Sequence, residues 1–71
     1  MAPQRFTPGD TVRVWYVQDG ATFEYTAKVL RPAERQGDYV VQVLTAGPGS
    51  GATEGAIYAP ILGGPVGMDA A

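Results

Sequence analysis

The chain has 71 residues, of which seven are acidic and five basic, for a formal charge of -2, and it contains no cysteine and no histidine. This composition excludes disulfide bonds, the usual zinc ligands, and nucleophilic catalysis of the Ser-His-Asp or Cys-His kind. A domain this short buries only about 60% of the surface of its unfolded chain, so we expect one domain that gains stability by self-association. The acidic balance disfavours nucleic acid as a partner.

Three runs of alternating apolar and polar residues predict three β-strands, over roughly residues 11–17, 22–30 and 38–45. An Asp-Gly turn signal at residues 18–21 joins the first two runs as a hairpin. Pro32 cannot donate a hydrogen bond to a neighbouring strand, so the second strand ends there. The connections leave no room for a crossover helix, which predicts an all-β, antiparallel meander without substantial helix.

The alternation also predicts which side chains are buried. On the first two strands the polar side chains occupy one face, so the opposite face belongs to the core. Glu24 lies on the polar face, where it is placed to pair with Arg13 across the strands. The predicted core residues are Val12, Val14, Tyr25, Ala27, Val29, Val41 and Val43.

The remaining segments are rich in glycine and proline, which favour loops and short strands. Pro60 ends a short fourth strand, and the apolar pair that follows it is expected to close the barrel or pack on a neighbour. The predicted organisation is a lead-in over residues 1–8, a β-barrel domain of four to five strands over 9–62, with a flexible loop at 46–55 and a strand at 56–59, and a flexible tail over 63–71.

The sequence offers little for catalysis. The glycine-rich stretch 47–51 lacks the lysine and the third glycine that phosphate-binding loops require, and the carboxylates are scattered. We therefore assign no catalytic residue, no metal ligand and no cofactor, and the sequence favours a protein that is not an enzyme. It shows neither the apolar segment of a signal peptide nor the run of about 18 apolar residues of a membrane helix, so we expect a cytoplasmic protein that does not contact membranes.

Trp15 is predicted to be exposed, because Arg13 and Glu24 share its face. An exposed tryptophan beside further apolar side chains is the usual mark of a contact surface. The residues that would extend this surface are Val17, Val40 and Leu44.

A second group of aromatic residues is predicted at one end of the barrel. Tyr16 and Phe23 flank the hairpin turn, and Tyr39 opens the third strand. Two interpretations stay open: these rings cover the mouth of the barrel, or they bind a ligand or partner.

The pattern Gly-Asp-x-Val-x-Val-x-Tyr-x-x-Asp-Gly-x-x-Phe-x-Tyr-x-Ala-x-Val, followed by Gly-x-Tyr-x-Val-x-Val, resembles the SH3-like small β-barrel superfamily. Over residues 9–44 it looks most similar to Tudor-type domains, which are bent five-stranded barrels that serve as binding modules. Tudor domains often read methylated Lys or Arg through an aromatic cage, by cation–π attraction. The resemblance implies that role for Tyr16, Phe23 and Tyr39, with Trp15 beside them.

A further resemblance is to the type II dihydrofolate reductases, short SH3-like barrels that also open with a Gly-Asp-x-Val strand. They form tetramers around one pore, and their active-site strand reads Val-Gln-Ile-Tyr-Pro. The comparable stretch here is Gly55-Ala56-Ile57-Tyr58-Ala59-Pro60, in which alanine stands in place of glutamine. This resemblance implies an oligomeric enzyme that binds NADPH, with Ile57 and Tyr58 lining its pore.

The sequence therefore predicts a non-catalytic binding or assembly module that contacts another protein, or a second copy of itself, through an aromatic and apolar face. The alternatives are the reductase-like oligomer and a nucleic-acid-binding module that uses Arg13, Lys28, Arg31 and Arg35. The residues predicted to bind are Trp15, Tyr16, Phe23, Tyr39, Ile57 and Tyr58.

Overall fold

The computed structural model describes residues 5–71, so the first four residues of the predicted lead-in lie outside it. Its five strands are β1 (Thr11–Gln18), β2 (Ala21–Pro32), β3 (Tyr39–Ala46), β4 (Ile57–Tyr58) and β5 (Val66–Ala70). They form one antiparallel sheet in the order β4-β3-β2-β1-β5. Residues 5–71 contain no helix that is long and apolar enough to cross a membrane. The predicted all-β class and the antiparallel pairing are confirmed.

The hairpin between β1 and β2 turns where the sequence predicts. Asp19 and Gly20 both adopt left-handed backbone angles, with φ of 52° and 79°. Such a pair of positive φ values belongs to a two-residue turn whose twist matches that of the flanking strands, and Asp-Gly is a preferred sequence for it. The expected ion pair also forms across the hairpin, with Arg13 Nε 3.3 Å from Glu24 Oε2.

Two β-bulges interrupt the pairing of β2 with β3. The register skips Leu44 on β3 and, further along, Leu30 on β2. A bulge bends its strand and increases the local twist, so the sheet curves around the side chains on its inner face. We define the inner face as the side of the sheet that carries Val12 and Val14. The sheet is not closed: β4 and β5 are its two edges.

The core lies on this inner face. All seven predicted core residues are buried, from Val12 and Val14 on β1 to Val41 and Val43 on β3. Period-two alternation identified them because each strand has one polar face. Phe6, Tyr39 and Met68 complete the core cluster.

The structure differs from the prediction at the C-terminal segment, where β5 lies within the predicted flexible tail of residues 63–71. Gly63 and Val66 exchange backbone hydrogen bonds of 2.9 and 3.2 Å around a tight turn, which brings the chain back along β1. Met68 then lies buried opposite Val14. The sequence of β5 has two large apolar residues among glycine, alanine and aspartate, so its local pattern is too short to indicate a strand. Residues 66–70 form a strand because they pair with β1.

Candidate functional site

A cleft of about 390 Å³ lies between the inner face of the sheet and the segment that runs from residue 50 to residue 61. Its lining is mostly apolar, and tyrosine rings form much of it. These residues come from four of the five strands, β1, β2, β4 and β5, and from the loops after β3 and β4, so the cleft forms only when distant segments of the chain come together. The lining includes Tyr16, Tyr25, Tyr58, Pro60, Ile61 and Val66.

Tyr16 forms one wall of this cleft and also holds the glycine-rich loop. Its ring lies 5.6 Å from that of Phe23, measured between centroids, because the two residues are direct partners across β1 and β2. Its hydroxyl donates a hydrogen bond to the carbonyl of Ser50. The loop at 46–55 is thus attached to the sheet through a tyrosine side chain.

Tyr25 and Tyr58 meet in the cleft edge to face, with ring centroids 5.9 Å apart and planes at 66°. The Tyr58 hydroxyl also accepts a hydrogen bond of 3.3 Å from the backbone N–H of Thr53. Burial, with smaller contributions from Tyr58 and Tyr16, raises the pKa of Tyr25 to about 12. The Tyr25 phenol is therefore protonated at neutral pH, so it offers a hydroxyl group and no charge to a ligand.

A buried carboxylate holds the outer wall of the cleft in place. Asp38 is 4% exposed and accepts a hydrogen bond of 3.2 Å from the backbone N–H of Leu62. Arg35 Nε lies 2.8 Å from the same carboxylate, and a second guanidinium nitrogen donates to the Leu62 carbonyl. Both backbone groups of Leu62 are thereby fixed, and the neighbouring Ile61 is positioned with them.

No protein-family model, no curated protein and no solved structure matches this chain. Among residues 5–71, no three acidic side chains come close enough together to hold a metal ion. The functional conclusion therefore depends on the cleft and on the residues around it.

Of the three aromatic residues predicted to cluster at one end of the barrel, only two lie together. Tyr16 and Phe23 do pack together, but Tyr39 is 3% exposed and lies against Phe6, at a centroid distance of 5.5 Å. Its hydroxyl accepts hydrogen bonds from the backbone N–H groups of Arg5 (2.8 Å) and Phe6 (3.3 Å). The register explains this, because Tyr39 pairs with Pro32 at the end of β2 that is far from Phe23. An aromatic cage of these three residues is not formed.

The predicted apolar patch around Trp15 is also wrong in its details. Trp15 is half-buried, because its indole packs on Gly67 of β5. Val40 is buried, while Val17 and Leu44 are exposed on strands that β2 separates. The prediction of exposure failed because the neighbour that covers Trp15 belongs to a strand that the sequence did not indicate.

Ile57 and Tyr58 are consecutive residues on β4, so their side chains lie on opposite faces. Only Tyr58 lines the cleft, and Ile57 is 58% exposed outside it.

Of the predicted binding residues, Tyr16 and Tyr58 line the cleft, and Tyr25 and Ile61 are among the lining residues that sequence reasoning missed. Tyr25 was assigned to the core alone, and it is both buried and part of the cleft lining. Ile61 is the most exposed of the large apolar residues within residues 5–71, at 68%. The sequence feature that could have pointed to Ile61 as a contact residue is an isoleucine directly after Pro60, in a segment without strand alternation.

Proposed function

We propose that this chain is a non-catalytic binding module of the SH3-like small-barrel type, which takes an apolar segment of another protein into the tyrosine cleft. The observation that carries the proposal is the cleft itself, lined by Tyr16, Tyr25 and Tyr58 and bordered by the exposed Ile61. Tyrosine is enriched at protein interfaces because its ring offers apolar area while its hydroxyl still finds a hydrogen-bond partner. Burying Ile61 under a partner would remove further apolar surface from water.

The pairing of the basic side chains supports a protein partner over a nucleic acid. The guanidinium of Arg13 is paired with Glu24, and that of Arg35 is paired with Asp38. Nucleic-acid binding draws its affinity from basic side chains that neutralise phosphates. The nucleic-acid alternative uses four basic residues, and two of them, Arg13 and Arg35, are thus already paired with carboxylates.

The fold supports the SH3-like assignment through its five antiparallel strands and through the bulges that bend β2 and β3. A methyl-reading cage of Tyr16, Phe23 and Tyr39 is not part of the proposal, because Tyr39 lies in the core.

The proposal is tested by selecting peptides from a displayed random library on the intact chain, followed by mapping their binding by NMR. We expect the selected peptides to shift the signals of Tyr16, Tyr25, Tyr58 and Ile61. Ile61→Ser is expected to weaken binding about tenfold or more, because burial of an isoleucine side chain contributes roughly 1.5–3 kcal/mol. Failure to select any peptide, or signal shifts confined to other surfaces, would overturn the proposal.

Ile57→Ser is the matched control. Ile57 is also an exposed isoleucine, only four positions from Ile61, but it lies outside the cleft. We expect its replacement to leave peptide binding unchanged. If Ile57→Ser weakened binding and Ile61→Ser did not, the contact surface would be the outer face of β4, and the cleft proposal would be wrong.

Light scattering on a size-exclusion column separates this proposal from the reductase-like alternative. A binding module is expected to remain below tetramer mass and to show no saturable response to NADPH. A tetramer that binds NADPH saturably would contradict the proposed function.

A further inference from the structure

We infer that Tyr25 selects the partner, by donating a hydrogen bond from its hydroxyl to a backbone carbonyl of an uncharged, internal segment of another protein. This inference rests on the proposed function, because Tyr25 acts within the tyrosine cleft. It adds the chemistry by which the segment is recognised and the kinds of segment that are rejected.

Among the described residues that line the cleft, Tyr25 has the one hydroxyl group that the chain itself leaves unbonded. Tyr16 donates to the Ser50 carbonyl, and Tyr58 accepts from the Thr53 N–H. The Ser50 hydroxyl accepts a hydrogen bond of 3.3 Å from a backbone N–H two residues further along the loop. Within residues 5–71, the hydroxyl of Tyr25 has no hydrogen-bond partner.

Tyr25 is nearly buried, yet its hydroxyl is open to the cleft. The residue is 7% exposed, and its ring lies on the inner face, because Tyr25 pairs with Val14 across the hairpin. Among residues 5–71 that are not themselves exposed, every side-chain nitrogen or oxygen that is fully shielded from solvent has a hydrogen-bond partner. Since the Tyr25 hydroxyl has none, it is not shielded, and the opening beside its ring is the cleft that it lines with Tyr58. A ligand that fills the cleft without bonding this hydroxyl would leave it buried and unsatisfied, which costs free energy.

The group that meets Tyr25 is expected to be a hydrogen-bond acceptor. Burial raises the pKa of Tyr25 to about 12, so the phenol keeps its proton at neutral pH. A phenol can both donate and accept. Its ring draws electron density from the oxygen, so it donates more strongly than it accepts. A backbone carbonyl is the acceptor that every protein segment presents.

The lining of the cleft has no group that can pair with a charge. None of the described residues that line it is acidic or basic. A carboxylate or an ammonium group that enters an apolar cleft loses its hydration and gains no ion pair. The ends of a protein chain carry such charges, whereas a residue inside a chain presents neutral amides. The fitting occupant is therefore an internal segment of another protein with an apolar, uncharged side chain.

The charge of the occupant is tested with three probes that share a leucine side chain. They are N-acetyl-leucine N-methylamide, which is uncharged, N-acetyl-leucine, which ends in a carboxylate, and leucine N-methylamide, which carries an ammonium group. Binding to the intact chain is followed through the NMR signals of Tyr16 and Ile61. We expect the uncharged probe to bind at least tenfold more tightly than either charged probe. Equal or tighter binding of a charged probe would overturn the inference, as would no binding of the uncharged probe up to its solubility limit.

Tyr25→Phe tests the hydrogen bond itself. The ring is retained, so its contact with Tyr58 and the fold are expected to be preserved. We expect this variant to bind the uncharged probe about tenfold more weakly. If the probe is isotope-labelled at its carbonyls, the infrared band of the bound probe should lie at a higher frequency in the variant, because its carbonyl no longer accepts from a phenol. A band at the same frequency in both chains would show that Tyr25 does not bond the carbonyl.

Tyr58→Phe is the matched control. It removes another hydroxyl from the same cleft, one that already accepts from the Thr53 N–H. We expect the carbonyl band of the bound probe to stay at the frequency seen with the unmodified chain. If Tyr58→Phe shifts the band and Tyr25→Phe does not, the donor is Tyr58 and the assignment to Tyr25 is wrong.

Should circular dichroism show that Tyr25→Phe is unfolded, the hydroxyl proton of Tyr25 is followed by NMR in the unmodified chain. We expect the bound uncharged probe to slow the exchange of this proton with water, because the proton is then held in a hydrogen bond. Unchanged exchange at saturating probe would overturn the inference.

The outcomes distinguish this inference from the proposed function. If Ile61→Ser weakens the binding of the selected peptides while Tyr25→Phe changes neither peptide nor probe binding, the cleft binds through apolar contact alone and the inference is overturned. If Ile61→Ser has no effect on any peptide, the cleft proposal itself fails.

Discussion

The indole of Trp15 packs directly on the backbone of Gly67, its cross-strand partner on β5. A Cβ atom at position 67 would overlap the ring, so only glycine fits beneath it. The indole Nε1 also donates a hydrogen bond to Asp69, two residues further along β5. Trp15 therefore fastens the last strand to the first, in addition to offering apolar surface.

Gly67→Ala is expected to destabilise the domain by about 1–3 kcal/mol, because the added methyl group must displace the indole. The free energy of unfolding in urea measures this loss, and the fluorescence of Trp15 is expected to shift to the red as the ring moves into water. Ala70→Ser, an exposed change on the same strand, should change stability by less than about 0.5 kcal/mol. In a Trp15→Ala background, Gly67→Ala should lower the free energy of unfolding much less. An equal decrease in both backgrounds would show that the indole does not pack on Gly67.

Val41→Ala is expected to destabilise the domain by roughly 1–3 kcal/mol, because Val41 is fully buried and its truncation leaves a cavity. Leu44→Ala serves as the control on the same strand, since Leu44 is 44% exposed at a bulge. Chemical denaturation should show that Val41→Ala lowers the free energy of unfolding more than Leu44→Ala does, although leucine is the larger residue. A greater loss at Leu44 would mean that the inner face has been assigned incorrectly.

Tyr25 should make the stability of the domain depend on pH in the alkaline range. Folding raises the pKa of its phenol from 10.0 to about 12, mainly through burial, so between these values the folded state holds a proton that the unfolded chain has released. The free energy of unfolding contributed by this group is constant below about pH 10 and falls as the pH rises toward 12. Urea titrations across this interval should show a steeper decline for the unmodified chain than for Tyr25→Phe. Equal slopes would show that the phenol titrates alike in both states.

Asp38→Ala is expected to destabilise the domain by about 1–3 kcal/mol, because the Leu62 N–H loses its acceptor while the exposed Arg35 side chain is free to rehydrate. The loss should be accompanied by faster hydrogen exchange of the Leu62 amide, since the carboxylate holds this segment against the β2–β3 connection. Glu34→Ala is the matched control, an acidic residue that is exposed in the same connection. Unchanged exchange at Leu62 would mean that the segment is held by other contacts.

The local pattern of the sequence was sufficient for the first three strands and their core. Alternation over β1, β2 and β3 indicated the buried face, because each strand sets polar side chains against apolar ones. The Asp19-Gly20 turn followed in the same way, from the positive φ angles that these two residue types tolerate. These features depend on residues close together in the chain.

The candidate site was predicted only in part, since its members meet across long separations in sequence. Tyr16 and Phe23 were placed together correctly because one hairpin joins them. Tyr39 was misplaced, because its position depends on the register of β3 along the far end of β2. Tyr25 and Tyr58 meet only when the loop after β3 returns to the inner face.

By itself, the sequence determined an all-β chain, its first hairpin, its buried valines and the absence of cysteine and histidine chemistry. The tertiary structure alone decided that the segment after Gly63 becomes a strand and that Trp15 is half-buried against it. It also decided that the tyrosines gather around a cleft. The physical reason is that alternation within a strand reports the two faces of that strand, whereas the identity of its neighbours is decided by pairing between distant segments.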